Sequence, residues 1–291
     1  MTNPTISVLI PCYNQARHIA RVVESARDQT CQPEEIIVID DKSQDDSLAE
    51  LEGLPVRVIC HKKNQGPAVT RNTGLKAAIG DILIYIDADA YADRRMIEAL
   101  LDAYRQTSPR PLAGVGGRGI EENLVTIYDR WRMLHAKQDF GQTKRDGVPY
   151  LFGLCMSFRR EILAIAGGFD SFFPTSAGED FELGYRLNRA GYALRYTPDA
   201  IVYHQHSDDS EDQLKHIQYN WYYWSYLAKQ RTHSHPWTLY AGTLRRLLTD
   251  TLSDLLFHRD VRLARLDLMA FAVKMRALQA AREHSLEAPN E

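Results

Sequence analysis

Pairs of carboxylates follow two short apolar segments in the first third of this 291-residue chain. Asp40 and Asp41 come directly after the run EIIVI, and Asp87 and Asp89 come after the run ILIYI. Two carboxylates two residues apart can converge on one divalent cation, because hard oxygen ligands suit Mg²⁺ or Mn²⁺. A cation held there would neutralise a diphosphate. The alternative for each pair alone is an exposed turn, where Asp is common.

Two further groups of titratable residues occur later in the chain. Glu179 and Asp180 follow Gly178 at the beginning of a helical pattern, where a carboxylate could act as general base for an acceptor hydroxyl. The alternative is a favourable interaction with the helix N-terminus. His204 and His206 follow an apolar run, and an imidazole could complete a carboxylate metal site. We expect one of these two histidines to be structural.

A regular scaffold must bring these residues together. The first half of the chain alternates helical spacing with β-branched runs, which predict strands over residues 6–10, 35–39, 56–60 and 81–86. This alternation indicates an α/β fold with a parallel sheet and helices on both faces. Ligands bind beyond the carboxyl ends of such strands. We therefore expect three polar clusters to meet at one edge of the sheet: Tyr13-Asn14, Asp40-Asp41, and Asp87 with Asp89.

The later part of the chain is less regular. Gly114, Gly116 and Gly119 have the spacing of a dinucleotide-binding loop, but no clear strand precedes them, so we reject that interpretation. Short strands are predicted at 194–196 and 200–203, and amphipathic helices at 243–257 and 263–281. We expect a catalytic domain over residues 1–211, with a nucleotide-binding half over about 1–110 and an acceptor half over about 111–211. Residues 212–291 form a C-terminal helical extension.

The composition excludes several classes of protein. With 35 basic and 38 acidic side chains, the net charge of −3 argues against a nucleic-acid binder. Residues 1–211 hold 24 basic and 30 acidic side chains, whereas residues 212–291 hold 11 and 8. We find no signal peptide and no apolar stretch near the ~20 residues of a membrane span. The four cysteines are scattered, so we expect reduced thiols and a cytoplasmic protein.

An ordered set of segments then points to one family. The order SVLIPCYN, EIIVIDDKSQDDS, NQGPAVTRNTGL, ILIYIDADA, GGFD, GEDFELGYRL and VYH resembles glycosyltransferase family 2 over about residues 6–206. The resemblance implies the α/β GT-A fold, which has a mostly parallel central sheet flanked by helices, here followed by a C-terminal helical segment. It also implies nucleotide-binding residues, namely Pro11, Tyr13, Asp40, Asp41, Arg71 and Asp87.

The resemblance assigns the remaining site residues as well. Asp89 and His204 would bind Mn²⁺ or Mg²⁺, and Asp180 would be the catalytic base. Residues near the donor sugar and acceptor would be Gly168, Phe169 and Glu179. The implied reaction is inverting transfer of one sugar from a nucleotide-sugar donor, at family level a UDP-sugar, to a glycan or lipid-linked acceptor. Synthesis of a cell-surface polysaccharide or glycolipid would use such a step.

Departures from the family pattern limit these expectations. The nearest match to the Gln-x-x-Arg-Trp motif of polymerising members is Gln218-Tyr219-Asn220-Trp221-Tyr222, so transfer of a single sugar is expected. One alternative is a non-catalytic nucleotide-sugar or glycan-binding protein on the same scaffold. A nucleotidyltransferase would need a Gly-rich basic loop after the first strand, and residues 11–14 are not one.

The C-terminal extension leaves two interpretations open. It combines the aromatic run WYYWSY with five arginines, Arg245, Arg246, Arg259, Arg262 and Arg265. Aromatic residues and a basic face suit peripheral contact with the inner face of a membrane. Packing over the acceptor side or a homodimer through these helices would also explain the pattern.

Overall fold

A computed structural model of the protein describes residues 4–122, 124–175, 177–205 and 210–287. It divides into two compact units. The α/β unit comprises Met1–Glu122 and Gln138–His206, and the helical unit comprises Asn123–Lys137 and Ser207–Glu291.

One mixed sheet forms the centre of the α/β unit. Its strands, among the described residues, are β1 (Ile6–Cys12), β2 (Glu35–Asp40), β3 (Arg57–Cys60), β4 (Ile82–Ile86), β5 (Ala90–Ala92), β6 (Leu112–Glu121), β7 (Arg145–Asp146), β8 (Cys155–Arg159) and β9 (Ala193–His204). The order is β3-β2-β1-β4-β8-β6-β9-β5, with β7 paired to β9. Strands β1 to β4 are parallel, as the sequence predicts, whereas β8 is antiparallel to both of its neighbours. The predicted α/β fold with helices around a central sheet is confirmed.

Helices cover both faces of this sheet: α1 (Ile19–Arg27), α2 (Pro67–Ala77), α3 (Met96–Arg105), α5 (Arg160–Ile165) and α6 (Glu179–Arg189). Side chains alternate between the faces of a strand. Val8 and Ile10 of β1 therefore join one apolar core with α1 and α3, and Leu9 joins the other with α2 and α6. Burial on both faces explains why these strands are continuous apolar runs.

The last strand differs from its sequence prediction. Residues 194–196 and 200–203, expected as two strands, belong to the single strand β9. Residues 197–200 bulge from its pairing with β6, where the register shifts beside Gly117. Pro198 lacks an amide hydrogen and is tolerated at such a bulge. A Cβ on Gly117 would lie 2.4 Å from the carbonyl oxygen of Ala200, so only glycine allows this approach.

The helical unit contains α4 (Ile127–His135), α7 (Glu211–Arg231), α8 (Trp237–Ser253) and α9 (Val261–Glu287), with a π-helical turn at Asp254–His258. Helix α4 lies in the segment that the sequence assigned to the acceptor half. It groups with the helical unit because Trp131 packs in a core with Leu214, Leu263 and Leu266. No helix of the described ranges is both long and apolar enough to cross a membrane.

Candidate active site

The carboxyl ends of β1 and β2 carry the predicted base-binding residues. Tyr13 follows β1 and has a ring that is 42% exposed, while Pro11 is half-buried. Asn14 holds the turn in a left-handed conformation (φ 52°) and accepts a hydrogen bond from the Gln44 amide at 2.7 Å. Asp40 is buried and accepts from the Ser43 amide at 3.2 Å. Tyr13 is therefore the accessible aromatic surface at this edge.

Asp41 is buried and organises the loop that leads into α2. Its carboxylate accepts hydrogen bonds from the amides of Gln65 at 2.9 Å and Gly66 at 2.8 Å. The Nδ1 atom of His61 lies 2.7 Å from the same carboxylate. The Asp41 amide in turn donates to the carbonyl of Cys12 in β1. These bonds fix the loop beside the strand ends, and base recognition by Asp41 stays a prediction.

Arg71 joins the end of β4 to the beginning of α6. Its side chain, 3% exposed, contacts Asp87 Oδ1 at 3.1 Å and forms a short ion pair with the buried Glu179. Burial disfavours the guanidinium charge, but Glu179 and Asp87 outweigh that effect and raise the pKa of Arg71 further. Asp87 remains 34% exposed on its side chain. Asp87 thus keeps a partly exposed carboxylate, whereas Glu179 is buried.

Gly153 lies beside two of the predicted acidic residues, Asp87 and Asp180. Its amide donates to Asp180 Oδ2 at 3.3 Å. A Cβ at this position would lie 2.9 Å from Arg71 Nη2 and 3.8 Å from Asp87 Oδ2. Because Gly153 has no side chain, Arg71, Asp87 and Asp180 can all lie close to its backbone. Sequence reasoning missed Gly153, although it lies in a segment rich in small and apolar residues.

Asp180 has the electrostatics of a general base. The surrounding protein removes water from its carboxyl and, with the Glu179 carboxylate beside it, raises the pKa of Asp180 to about 8. Arg71 and the amides of Phe181 and Gly153 act in the opposite direction. A base with a pKa near neutrality can be ionised under working conditions and still hold the proton that it removes.

Asp89 and His204 meet through strand pairing. Ala90 of β5 is the register partner of His204 in β9, and Asp89 Oδ1 lies 3.5 Å from His204 Nε2. The other ring nitrogen, Nδ1, lies 3.1 Å from Glu121 Oε1 at the end of β6. Burial disfavours the imidazolium, but the bonds to Asp89 and Glu121 prevail and raise the pKa of His204 to about 10. Glu121 is a site residue that the sequence did not reveal, because only the β6–β9 pairing brings it to His204.

The Gly168–Phe169 segment is fixed from α2. Asn72 Nδ2 donates to the Phe169 carbonyl at 2.7 Å, and the Phe169 amide donates to Asn72 Oδ1 at 2.8 Å. Gly168 has φ 72°, and a Cβ there would lie 2.3 Å from Asn72 Oδ1. The Phe169 ring is buried, with its centroid 5.4 Å from that of Tyr85. The ring is thus a core side chain, and the predicted donor or acceptor contact stays a prediction.

A second polar cluster lies in the helical unit. Within the described ranges, one group of three metal-ligating side chains has all its ligand atoms within 4.8 Å of one another: His135, Asp254 and Asp267. His135 Nε2 lies 3.0 Å from Asp254 Oδ2, and Trp131 Nε1 donates to Asp267 Oδ1 at 2.8 Å. Burial raises the pKa of Asp267 to about 6. These bonds join α4 to α9 and to the π-helical turn, so the cluster explains why α4 groups with the helical unit.

The structure brings together Arg71, Asp87, Glu179 and Asp180, and it separately brings Asp89 to His204. Pro11, Tyr13, Asp40 and Asp41 lie at the carboxyl ends of β1 and β2. His206, the second histidine of the sequence prediction, lies outside the described residues.

Comparisons with known proteins identify the family of the chain. The sequence profile of "Glycosyl transferase family 2" matches residues 7–165. A pre-mycofactocin glycosyltransferase of Mycobacterium tuberculosis is 32% identical over 222 residues, which cover 71% of this chain and 44% of the relative. A glucosyl-dolichyl phosphate glucuronosyltransferase of Haloferax volcanii is 24% identical and is matched over 69% of this chain and 66% of its own length. The chain thus spans less than half the length of the first of these relatives.

The fold also matches solved structures. A mannosyltransferase from Pyrobaculum calidifontis, solved in complex with GDP-Man and Mn²⁺, superposes with a TM-score of 0.67. The match covers 96% of this chain and 88% of the mannosyltransferase at 18% identity. At that identity the likeness shows the fold alone.

Proposed function

The chain belongs to glycosyl transferase family 2, and we propose that it is an inverting enzyme that transfers one sugar from a nucleotide-sugar donor to an acceptor hydroxyl. The donor we propose first is a UDP-sugar, and the acceptor is a glycan or a lipid-linked sugar in the synthesis of a cell-surface polysaccharide or glycolipid. We place this activity in the cytoplasm. The observation that carries the proposal is the arrangement of Asp87 and Asp180 around Arg71 and Gly153.

Asp180 is the proposed catalytic base. It would take the proton from the acceptor hydroxyl, and that oxygen would attack C1 of the donor sugar from the face opposite the diphosphate. The C1–oxygen bond to the diphosphate breaks, the anomeric configuration inverts, and the nucleoside diphosphate leaves. Gly153 supports the geometry because its amide bonds to the Asp180 carboxylate at 3.3 Å. The raised pKa of Asp180 supports the role by keeping its conjugate acid stable.

The nucleotide is proposed to bind at the strand ends. The exposed ring of Tyr13 offers a stacking surface for the base, and the loop held by Asp41 lies beside it. Arg71 would act mainly by orienting Asp87 and Glu179, since its own side chain is buried between them. A base-stacking Tyr and a fixed backbone loop accept either a pyrimidine or a purine.

Asp89 and His204 fit a divalent cation, which would displace the proton that Asp89 and Glu121 stabilise on the imidazole. A carboxylate oxygen and an imidazole nitrogen lie 3.5 Å apart, and this mixed pair of ligands suits Mn²⁺. Mg²⁺ prefers oxygen ligands, so it would depend mainly on the carboxylate. Glu121 behind His204 is the kind of carboxylate that orients a metal-binding histidine. Asp89 and His204 would hold the ion, with Asp87 near it. The cation, when bound, stabilises negative charge on the leaving diphosphate.

Measurement of the products tests this proposal. Purified chain is incubated with UDP- and GDP-sugars and a set of sugar and lipid-linked acceptors, with Mn²⁺ or Mg²⁺, and the released nucleotide is identified. Both bases belong in the panel because the structural neighbour is described with GDP-Man. Nucleoside diphosphate release that depends on the acceptor supports the proposal. Binding without turnover would indicate a non-catalytic protein, and pyrophosphate release would indicate a nucleotidyltransferase.

A further inference from the structure

The outward face of α8 carries large apolar side chains. Helical residues three, four or seven positions apart share a face. Five exposed residues with this spacing run along α8 and into the π-helical turn: Trp237, Leu244, Leu248, Leu252 and Leu255. Thr243, which is buried, lines the same small recess as Phe271 of α9. Helix α8 packs through Leu239, Tyr240 and Thr243, and it still presents a row of leucines to solvent, where an ordinary surface helix carries polar residues.

The π-helical turn extends this surface. Leu255, Leu256 and Phe257 are consecutive and exposed, and Phe257 is 82% exposed. The turn ends at Arg259 in a left-handed conformation (φ 50°), which is uncommon for a non-glycine residue. The Asp260 amide closes the turn by donating to the Asp254 carbonyl at 3.1 Å. Together these exposed residues form a surface that we call the apolar face: Trp237, Leu244, Leu248, Leu252, Leu255, Leu256 and Phe257.

The exposed charges around the apolar face are mainly positive. Between Trp237 and Leu268 five arginines are exposed: Arg245, Arg246, Arg259, Arg262 and Arg265. The four acidic residues of the same segment are buried or half-buried: Asp250, Asp254, Asp260 and Asp267. Asp260 pairs with Arg262, so the exposed charge of this segment comes mainly from the other arginines and is positive.

We propose that the apolar face and its arginines form a docking surface for an anionic lipid bilayer. Leucines and an aromatic ring can enter the boundary between headgroups and acyl chains, while arginines at the border contact lipid phosphates. A second copy of the chain is a poorer occupant. A two-fold interface brings the same patch against itself, so the arginines would face one another without exposed carboxylates to pair with.

This inference goes beyond the proposed transfer reaction and does not depend on it. Docking needs no donor, acceptor or cation, so it can be measured on protein whose activity is unknown. It would bring the chain to the lipid surface on which a lipid-linked acceptor is found.

Vesicle co-sedimentation of the full chain tests the proposal. Vesicles of phosphatidylcholine with phosphatidylglycerol should retain the protein, pure phosphatidylcholine should retain less, and added salt should weaken the retention. Phe257→Ser with Leu256→Ser should lower the partition coefficient about tenfold by removing inserted side chains. Arg245→Gln and Arg265→Gln should each lower binding to anionic vesicles about fivefold.

The controls separate docking from folding. Ile79→Ser removes an equally exposed apolar side chain (67%) from the α/β unit and should leave vesicle binding unchanged. Unchanged thermal melting and nucleotide binding in every variant would show that the fold persists. The proposal is overturned if the chain ignores anionic vesicles at low salt, or if the double variant binds as well as the parent. Self-association that Leu248→Ser abolishes, without vesicle binding, would assign the face to a second copy instead.

Discussion

Asn72 and Phe169 are joined by two hydrogen bonds. The side-chain amide of Asn72 donates to the backbone carbonyl of Phe169, and the backbone amide of Phe169 donates to the side-chain oxygen of Asn72. The pair joins α2 to the segment before α6. Because Arg71 precedes Asn72 on α2 and pairs with Glu179 at the beginning of α6, the same helix holds both the segment and the acidic motif.

Replacement of Asn72 by Ala should destabilise the α/β unit. The change leaves the Phe169 amide and carbonyl without their side-chain partner, at a cost of roughly 2 kcal/mol in the free energy of unfolding. Urea denaturation measures this loss. Asn220→Ala on α7 removes a side-chain amide that lies 2.8 Å from His216 Nε2, and should cost under about 0.5 kcal/mol. Equal stabilities of the two variants would contradict the proposed anchoring role.

Asp180→Asn should abolish sugar transfer and keep nucleotide binding. Loss of a general base typically lowers the rate by about 10²–10⁴-fold, whereas the amide conserves the size of the side chain. Single-turnover transfer and nucleotide titration on the same protein measure the two effects. Asp102→Asn, on the exposed side of α3, is the matched control and should transfer normally. Full activity in the Asp180 variant would exclude it as the base.

The pH profile should show the ionisation of Asp180. A carboxyl whose pKa is raised to about 8 is protonated below that pH and cannot accept the acceptor proton. The value of kcat/KM should therefore rise with pH toward a plateau above about 8. Glu179→Gln removes a negative neighbour, so the rise should move to lower pH. A profile that is flat from pH 6 to about 9 would contradict the assignment of the base.

Arg71→Met should be strongly destabilising. It leaves Asp87 and the buried Glu179 without their cation, and breaking a buried pair in this way costs about 3–5 kcal/mol. The double change Arg71→Met with Glu179→Gln should recover part of the loss, because one uncompensated charge is removed. Thermal and urea unfolding measure both. Arg105→Met breaks an exposed ion pair and should cost less than about 1 kcal/mol.

Glu121→Gln should weaken the response to Mn²⁺. Outer carboxylates that orient a metal-binding histidine typically contribute about 10–100-fold to metal affinity. Mn²⁺ titration in the presence of a nucleoside diphosphate, followed by calorimetry, gives the affinity. Glu122→Gln is the adjacent control, since that carboxylate bonds to the Tyr91 hydroxyl and not to His204. If the two variants bind Mn²⁺ equally, Glu121 has no role at the metal.

Sequence patterns were sufficient for the first half of the fold. The runs at β1, β2 and β4 are buried on both faces, so their apolar character is continuous, and the turn residues after them mark the strand ends. The position of Asp87 and Asp89 followed from that pattern. Asp180 is a candidate base in the sequence because an acidic pair opens a helical pattern after a glycine, and its role stays a prediction.

The remaining features depend on pairings between distant segments. Strand β5 has three residues and no periodicity to detect. Glu121, Gly153 and Asn72 became recognisable only when strand register and backbone proximity brought them to His204, Asp180 and Phe169. Helix α4 groups with the helical unit, and helical spacing alone does not say which unit receives its apolar side.

The pairing of Ala90 with His204 also has a consequence for how the protein is made. The β1–β4 part of the sheet is encoded before residue 87, but the partner of Asp89 belongs to the end of β9, which leaves the ribosome much later. Because residues on a strand alternate between faces, a slip of one residue would place Tyr203 or Gln205, instead of His204, opposite Ala90. Correct docking of the last strand is therefore the step at which a newly synthesised chain brings His204 to Asp89.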